Sequence, residues 1–371
     1  TLFSAPTGFE KSRLLSVWIG KNEDLPLSTG RSAGTAPPMP NLVTWFTLDG
    51  DDNDPVRFLQ YLIASLQRFA DTIGETAWDL LQSSGGLPGA PAPKTILTTL
   101  LNDLSLLTTA ENQLSPLYVL VLEDYHLITA QPIHEAVSYF IDHLPPQFHV
   151  VMTTRADPPL PLARWRARGQ LSEIRAADLR FTPDEAAAFL NDRMALHLSA
   201  DEVQVLGIRT EGWIAGLQLV ALSLQGRADK ADFLRTFSGS HRYILNYLVE
   251  EVLNMQPAAV QEFLLRTSIL DRLCASLCNT MLDDWPPEPA ADSLIRASAP
   301  AQDYQPLLAQ IEQANLFLAP LDDEGHWYRY HQLFAEVLQY RLRQTQPEIL
   351  PYLHSRASAW FEQQGLLADA I

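Results

Sequence analysis

Cysteine, basic residues and long apolar runs are all scarce in this chain, and each scarcity removes a class of function. Among 371 residues there are two cysteines, Cys274 and Cys278. They lie four apart on one face of an expected helix, and no neighbouring Cys or His supplies the further ligands a structural zinc needs. They read as buried or half-buried free thiols, in keeping with a reducing compartment. Lys and Arg total 26 against 44 Asp and Glu, a formal net charge of −18. A surface that acidic repels a phosphate backbone, so this stretch is a poor partner for nucleic acid. No apolar run is long enough to span a membrane, and no signal peptide opens the chain, which argues for a cytoplasmic location and no membrane partner. The first residue is Thr1 and a motif begins almost at once, so the chain reads as a piece of something longer. At 371 residues, 47% of them hydrophobic, about two to four domains are expected.

What is present starts at the amino terminus. Leu2-Phe3-Ser4 reads as the end of a buried strand, and Leu14 to Ile19 as a helix. Between them, Ala5-Pro6-Thr7-Gly8-Phe9-Glu10-Lys11-Ser12 is a degenerate phosphate-binding loop. The pattern asks for Gly, four residues, then Gly-Lys-Ser/Thr. Lys11 and Ser12 fit, while Ala5 and Glu10 stand where the two glycines belong. The chemistry needs backbone N–H groups around phosphate at a helix start, a Lys on the outer phosphates and a hydroxyl on magnesium. Glu10 opposes it: a carboxylate about 5 Å from a phosphate charge costs roughly 3 kcal/mol at an effective dielectric near 20. Pairing of Glu10 with Lys11 would reduce that cost and disarm the Lys.

Further along, Leu42 to Leu48 reads as a buried strand ending in Asp49-Gly50-Asp51-Asp52-Asn53-Asp54-Pro55, a turn rich in helix-capping residues. Helical spacing follows at Phe58, Leu59, Leu62, Ile63 and Leu66, and again through Leu97, Leu100, Leu101 and Leu104. Pro/Gly-rich loops are expected at 22–40, 83–93 and 283–306. Leu117 to Leu122 is a continuous apolar run closed by Glu123-Asp124, the mark of a strand buried on both faces. A helix from about Pro132 to Leu144, a strand from Phe148 to Thr154 ending at Arg155, and a strand near Leu171 to Ile174 complete the alternation. Strand and helix in turn predict a parallel α/β sheet with ligands at the carboxyl ends of its strands. After Phe181 nearly everything is helical, from a start at Thr182-Pro183-Asp184-Glu185. The exception is a hairpin of Leu316-Phe317-Leu318 with Trp327 to Tyr330, flanking Asp322-Asp323-Glu324-Gly325. A hairpin after helices suggests a winged helix.

Three separated elements then line up: the loop after strand one, Glu123-Asp124 after a buried strand, and Arg155 after the next. In a nucleotide site the first acid holds magnesium, the second polarises water and the base senses the terminal phosphate. With these in place the chain resembles the nucleotide-binding module of large ATP-binding regulators of the LuxR type, the maltose-regulon-activator kind, within the STAND class of P-loop ATPases. The resemblance runs through Ser4 to Ser12, Leu48 to Pro55 with Phe58 and Tyr61 to Ile63, Val121 to Ile128, Thr154 to Leu160, Leu179 to Thr182, Thr210 to Leu219, Tyr247 to Leu253, Phe263 to Leu270 and Tyr328 to Phe334.

The resemblance implies an α/β P-loop domain over 1–178, a small helical domain over 179–235, a winged-helix domain over 236–347 and the start of a helical-repeat sensor arm over 348–371. It implies ATP or ADP with Mg2+, met by Gly8, Phe9, Lys11 and Ser12 of the loop. Ser12 and Glu123 would hold the metal, and Glu123 and Asp124 would be the catalytic acids. Arg155 would read the γ-phosphate, and His331 would reach the β-phosphate of ADP and lock the domains closed. His126, beside the acids, reads as a packing residue at the sheet end. Gly212-Trp213-Ile214 stands where many STAND proteins have Gly, any residue, then Pro near adenine. Implied partners are nucleotide, a second copy on activation, and inducer and DNA through domains outside this chain. Two readings stay open: an ADP-off, ATP-on switch of a transcription activator with slow hydrolysis, and a nucleotide-free interaction scaffold, which Glu10 favours.

Overall fold

The computed structural model describes all residues except 23–41, 84–92, 109–115, 228, 283–302, 323 and 367–371. The loops expected at 22–40, 83–93 and 283–306 fall largely outside the described residues. The chain forms two compact units, Thr1–Ala5 with Glu10–Asp178, and Pro6–Phe9 with Leu179–Ile371.

The first unit is built on five parallel strands. They are β1 (Leu2–Ser4), β2 (Leu42–Thr47), β3 (Tyr118–Glu123), β4 (Phe148–Thr154) and β5 (Glu173–Arg175), in the order β2-β3-β4-β1-β5. The apolar run of β3 explains its central position. Tyr118, Leu120 and Leu122 face a core shared with Phe58, Ile63, Leu97, Leu100 and Phe140. Val119 and Val121 face the other way, toward Phe3, Val151, Leu15 and Ile19. Each such side chain, buried on its own face, contributes about 1.5–3 kcal/mol. The helices are α1 (Lys11–Asn22), α2 (Pro55–Leu66), α3 (Glu75–Ser83), α4 (Pro93–Thr108), α5 (Gln131–Asp142) and α6 (Leu162–Ala167). The expected strand at 171–174 forms two residues later. As a three-residue edge strand with half-buried side chains it carries no apolar run to fix its bounds.

The second unit is mainly helical. Thr182 and Glu185 form a capping box at the start of α7 (Pro183–Ala187), and Ser199 and Glu202 do the same for α8 (Ala200–Thr210). Then come α9 (Ile214–Leu224), α10 (Lys230–Thr236), α11 (Arg242–Leu248), α12 (Ala258–Thr267), α13 (Ala275–Leu282) and α14 (Gln305–Gln313). Two π-helical stretches, Ala188–Arg193 and Val249–Leu253, interrupt the regular helix. The hairpin pairs β6 (Leu318–Pro320) with β7 (Tyr328–Tyr330), and α15 (Gln332–Thr345) and α16 (Leu350–Gln363) follow. β6 starts later than the apolar triplet at 316–318 suggests, because Asn315 and Phe317 adopt positive φ of 50° and 55°. Cys274 and Cys278 are both buried and free.

The junction of α8 and α9 is the tightest turn in this unit. Glu211 and Gly212 take φ of 48° and 70° in succession. A Cβ on Gly212 would lie 2.6 Å from the Phe181 carbonyl oxygen, whereas one on Gly207, within α8, meets nothing within 4 Å. The two glycines should therefore respond to alanine with opposite signs. Gly207→Ala is expected to stabilise by about 0.5–1 kcal/mol. Gly212→Ala should cost at least about 2 kcal/mol from left-handed strain plus a backbone clash. Urea unfolding of both variants checks this, and equal shifts would contradict it.

Candidate functional site

The sheet order sets the carboxyl ends of adjacent strands side by side. Ser4 pairs in register with Thr154, and Thr47 with Glu123. Ala5 leaves β1 fully buried, so its methyl group is tolerated where a glycine is usual. Its carbonyl accepts a 2.7 Å hydrogen bond from the Lys11 ammonium. Lys11 opens α1, is only 8% exposed, and has its pKa lowered to about 8 by burial and by the Arg155 guanidinium, with Asp124 opposing. Lys11, Arg155 and Asp124 thus act on one another at the strand ends. Ser12 is exposed in the first helical turn.

Glu10 adopts φ of 52°, the left-handed conformation that a glycine at this motif position takes freely. The backbone therefore keeps the loop's shape while the side chain changes its charge. The Glu10 carboxylate lies 3.6 Å from Arg13, one turn on. The expected alternative, a pair with Lys11, gives way to this contact with the exposed Arg.

The acid pair is held from two neighbouring strands. The Thr47 hydroxyl donates to Glu123 Oε2 at 2.9 Å, and the Leu48 amide to the Glu123 carbonyl at 3.0 Å. Asp124 takes φ of 58°, and its amide donates to Thr153 Oγ1 at 3.1 Å. His126 Nδ1 lies 3.8 Å from Asp124 Oδ1. Burial, then Arg155 and Lys11, push the imidazole down to about 4, so it is neutral at neutral pH and makes no ion pair there. The acidic run before α2 is not a cation site: Arg57 meets Asp49, Asp51 and Asp52 at 3.2, 3.6 and 2.9 Å. Among the described residues no cluster of His, Cys, Asp and Glu could hold a metal by itself. A cavity of about 460 Å³ in this unit is lined by Leu2 and Phe148 at the amino ends of β1 and β4 and by Trp165 of α6, and none of these site residues lines it.

In the second unit the loop tip Pro6–Phe9 is bonded to helices. The Ala215 amide donates to the Gly8 carbonyl at 3.0 Å, Trp213 Nε1 to the Thr7 carbonyl at 3.2 Å, and Thr7 Oγ1 and Tyr247 OH lie 3.1 Å apart. A Cβ on Gly8, at φ 79°, would come within 2.6 Å of Ala215 and 2.8 Å of Trp213 Nε1. Phe9 is buried. Trp213 is fully buried against Tyr247, Phe317 and His331, and Gly216 leaves room for its ring.

His331 is 6% exposed, and its Nε2 lies 2.9 Å from the Thr210 carbonyl. A carbonyl only accepts, so Nε2 carries the proton. Nδ1 is then a buried lone pair with no hydrogen-bond partner. Burial lowers the His331 pKa, and Glu211 opposes the shift. Glu211 accepts from Arg329 at 2.8 and 2.9 Å, from the Gln332 amide at 2.9 Å and from Arg180 at 3.4 Å. Burial raises its pKa, but the Arg329 and Gln332 hydrogen bonds outweigh burial and bring it to about 2. Sequence reasoning passed over Thr47, Thr153, Thr210 and Glu211. Only Glu211 carried a signal, an acid directly before Gly212-Trp213.

Glu211→Ala should destabilise the second unit by about 3–5 kcal/mol, because Arg329 and the Gln332 amide lose a largely buried partner. As a carboxylate with a depressed folded pKa, Glu211 contributes stability that is present above about pH 4.5 and lost as pH falls toward 2. Denaturant unfolding at pH 7 and pH 4 measures both effects. A loss under about 1 kcal/mol at pH 7 would show the cluster to be energetically idle.

The MalT winged helix domain family matches residues 249–350. The serine/threonine-protein kinase PknK of Mycobacterium tuberculosis is 33% identical over 370 residues, spanning 100% of this chain and 30% of the kinase. The HTH-type transcriptional regulator MalT of Klebsiella pneumoniae is 32% identical over 372 residues, spanning 100% of this chain and 36% of the regulator. The chain thus spans about a third of the length of the curated relatives it matches. Among solved structures, the Walker-type ATPase PABY2304 of Pyrococcus abyssi shares the fold, with a TM-score of 0.50 and 14% identity over 91% of this chain and 90% of that one. With a match to the MalT winged helix domain family at 249–350 and relatives about a third identical along its whole length, the chain resembles the nucleotide-binding module of a MalT-like regulator and has a P-loop ATPase fold.

Proposed function

We propose that this module is a nucleotide-dependent switch, off with ADP and on with ATP, in a signal-responsive bacterial transcription activator of the cytoplasm. The observation that carries the reading is the buried Lys11 ammonium at a helix start, in the field of Arg155 and Asp124. A buried cation in a left-handed loop is suited to an anion. In this reading Lys11 contacts the β- and γ-phosphates, and the Gly8 and Phe9 backbone completes the cradle. Ser12 and Glu123 hold Mg2+, Asp124 accepts a proton from water, and Arg155 reads the γ-phosphate. Bound magnesium would supply charge neutralisation at the outer phosphates.

His331 is the proposed lock. Its Nε2 is committed to Thr210, so its free Nδ1 is the atom left for a phosphate. A phosphate oxygen accepts only, so Nδ1 must be protonated to hold it, and the lock engages as an imidazolium that Glu211 favours. Division into a P-loop domain at 1–178, a helical domain at 179–235, a winged helix at 236–347 and a sensor arm from 348 belongs to the same proposal. So do self-association on activation, and inducer and DNA binding by other parts of the protein. The second reading, a nucleotide-free scaffold, is favoured by the Glu10 carboxylate in the loop.

Calorimetric titration with ADP and ATP, with and without Mg2+, decides between them. The switch predicts ADP binding that weakens by up to about tenfold from pH 7 to pH 9. Lys11 is charged below about 8, and above it each binding event must first return its proton. Glu10→Gly should tighten binding by about tenfold or more. Binding by Glu10→Gly alone would favour the scaffold, and none by either protein would end the nucleotide reading. In the full-length regulator, His331→Ala should raise transcription without inducer, and an unchanged basal level would remove His331 from the lock.

A further inference from the structure

The turn Asp49 to Pro55 is among the stretches that carry the family resemblance, yet nothing in the proposed chemistry uses it. Its interior is stiff. Asp49 and Asp52 form a reciprocal capping box, the Arg57 guanidinium grips both carboxylates, and Asp54 caps α2 through the Arg57 amide. One side chain leaves this unit and enters another loop. Asn53 Oδ1 accepts from the Thr129 amide at 2.6 Å and the Ala130 amide at 3.0 Å. Asn53 Nδ2 donates to the Leu127 carbonyl at 2.8 Å and to the Gly50 carbonyl at 3.1 Å. Ala130 is the N-cap residue of α5, so the Asn53 carboxamide fixes the backbone that leads into that helix, while the Ile133 amide is met by the Ala130 carbonyl itself.

The same contact reaches Asp124 in two steps. Asn53 fixes the Leu127 carbonyl, and the Leu127 amide donates at 3.0 Å to the Asp124 carbonyl, closing the turn that follows the acid pair. Asp124 needs that closure, because it occupies φ 58°, ψ 40°, a conformation an Asp leaves readily when the turn is free to relax. Leaving it would swing the carboxylate away from the ends of β3 and β4. Asn53 alone among its close analogues fits this role. Aspartate keeps the acceptor and loses the donor, and alanine loses both.

We infer that Asn53 is a positioning residue. It holds the Asp124 turn through the backbone of residues 127–130, and so sets the second acid of the proposed nucleotide site. The inference rests on the nucleotide reading for its purpose, while the positioning itself can be tested without nucleotide.

The experiment is residue-resolved amide hydrogen exchange on the whole chain for wild type, Asn53→Ala and Asn53→Asp. It is combined with single-turnover hydrolysis of Mg2+-ATP and titration of ATP in EDTA. Asn53→Ala should speed exchange at Leu127, Thr129 and Ala130 by roughly tenfold, with α2 and α4 unchanged. Asn53→Asp should speed Leu127 alike while leaving Thr129 and Ala130 protected. Single-turnover hydrolysis of Mg2+-ATP should slow about fivefold or more in both variants, with ATP affinity in EDTA held. Wild-type exchange at Leu127 in Asn53→Ala would overturn the inference, and so would a uniform rise across the first unit. If wild type binds no nucleotide, the nucleotide reading fails by itself, and the exchange pattern still decides what Asn53 does.

Discussion

Lys11 carries an ammonium into a site that is 8% exposed, where burial and the Arg155 guanidinium both work against its charge. Much of the first unit can be understood as the means of keeping that charge in place. The parallel sheet aligns β1 with β4, which brings the loop and Arg155 to the same edge. β3 delivers Asp124, whose carboxylate acts in the opposite sense on the Lys11 pKa. The Ala5 carbonyl takes one of the ammonium protons at 2.7 Å. The charge survives at neutral pH, but with a pKa of about 8 it sits close enough to titration that an added anion would matter.

The second unit handles a buried titratable group differently. Glu211 is 12% exposed at its side chain, and charged hydrogen bonds from Arg329, with the Gln332 amide, stabilise its ionised form. His331, next to it in this network, stays short of one partner. One group is saturated and the other is not: Glu211 lies in the turn 210–213, and His331 in the segment 328–332 that joins hairpin to helix and is bonded to that turn. A saturated carboxylate resists change, whereas an imidazole with a free, buried nitrogen responds to whatever supplies or removes a proton there. Stability and responsiveness are thus assigned to neighbouring side chains on two segments that meet.

How legible this was depends on whether a residue's role leaves a pattern. β3 was readable within a residue because burial on both faces demands an unbroken apolar run, and β4 because its Val150-Val151-Met152 centre and flanking Thr residues favour a strand. The strand-end positions of Glu123, Asp124 and Arg155 followed from that, since an element's end is visible when its interior is. β5 was displaced and α3 missed, being short elements with half-exposed faces. The π-helical stretches at 188–193 and 249–253 leave no mark in periodicity, because they arise from how the backbone closes its hydrogen bonds. Thr47, Thr153 and Asn53 were invisible for another reason: each acts through a few polar contacts across 29 to 77 residues of sequence, and isolated contacts have no period.

Glu10 shows why a motif departure should be divided into backbone and charge. A missing glycine suggests a lost conformation, yet φ at this position remains 52° and the loop is closed by Lys11 all the same. Holding a non-glycine residue there costs about 1–2 kcal/mol, which the surrounding fold absorbs. The charge is the larger obstacle, roughly 3 kcal/mol if the carboxylate stays about 5 Å from a phosphate. Its contact with Arg13 lies on the exposed side of the helix, and a pair that open to water is held by under about 1 kcal/mol. The carboxylate is therefore easily displaced, by a phosphate that repels it as readily as by solvent. The departure then tunes how tightly the loop grips an anion and leaves intact the geometry with which it does so.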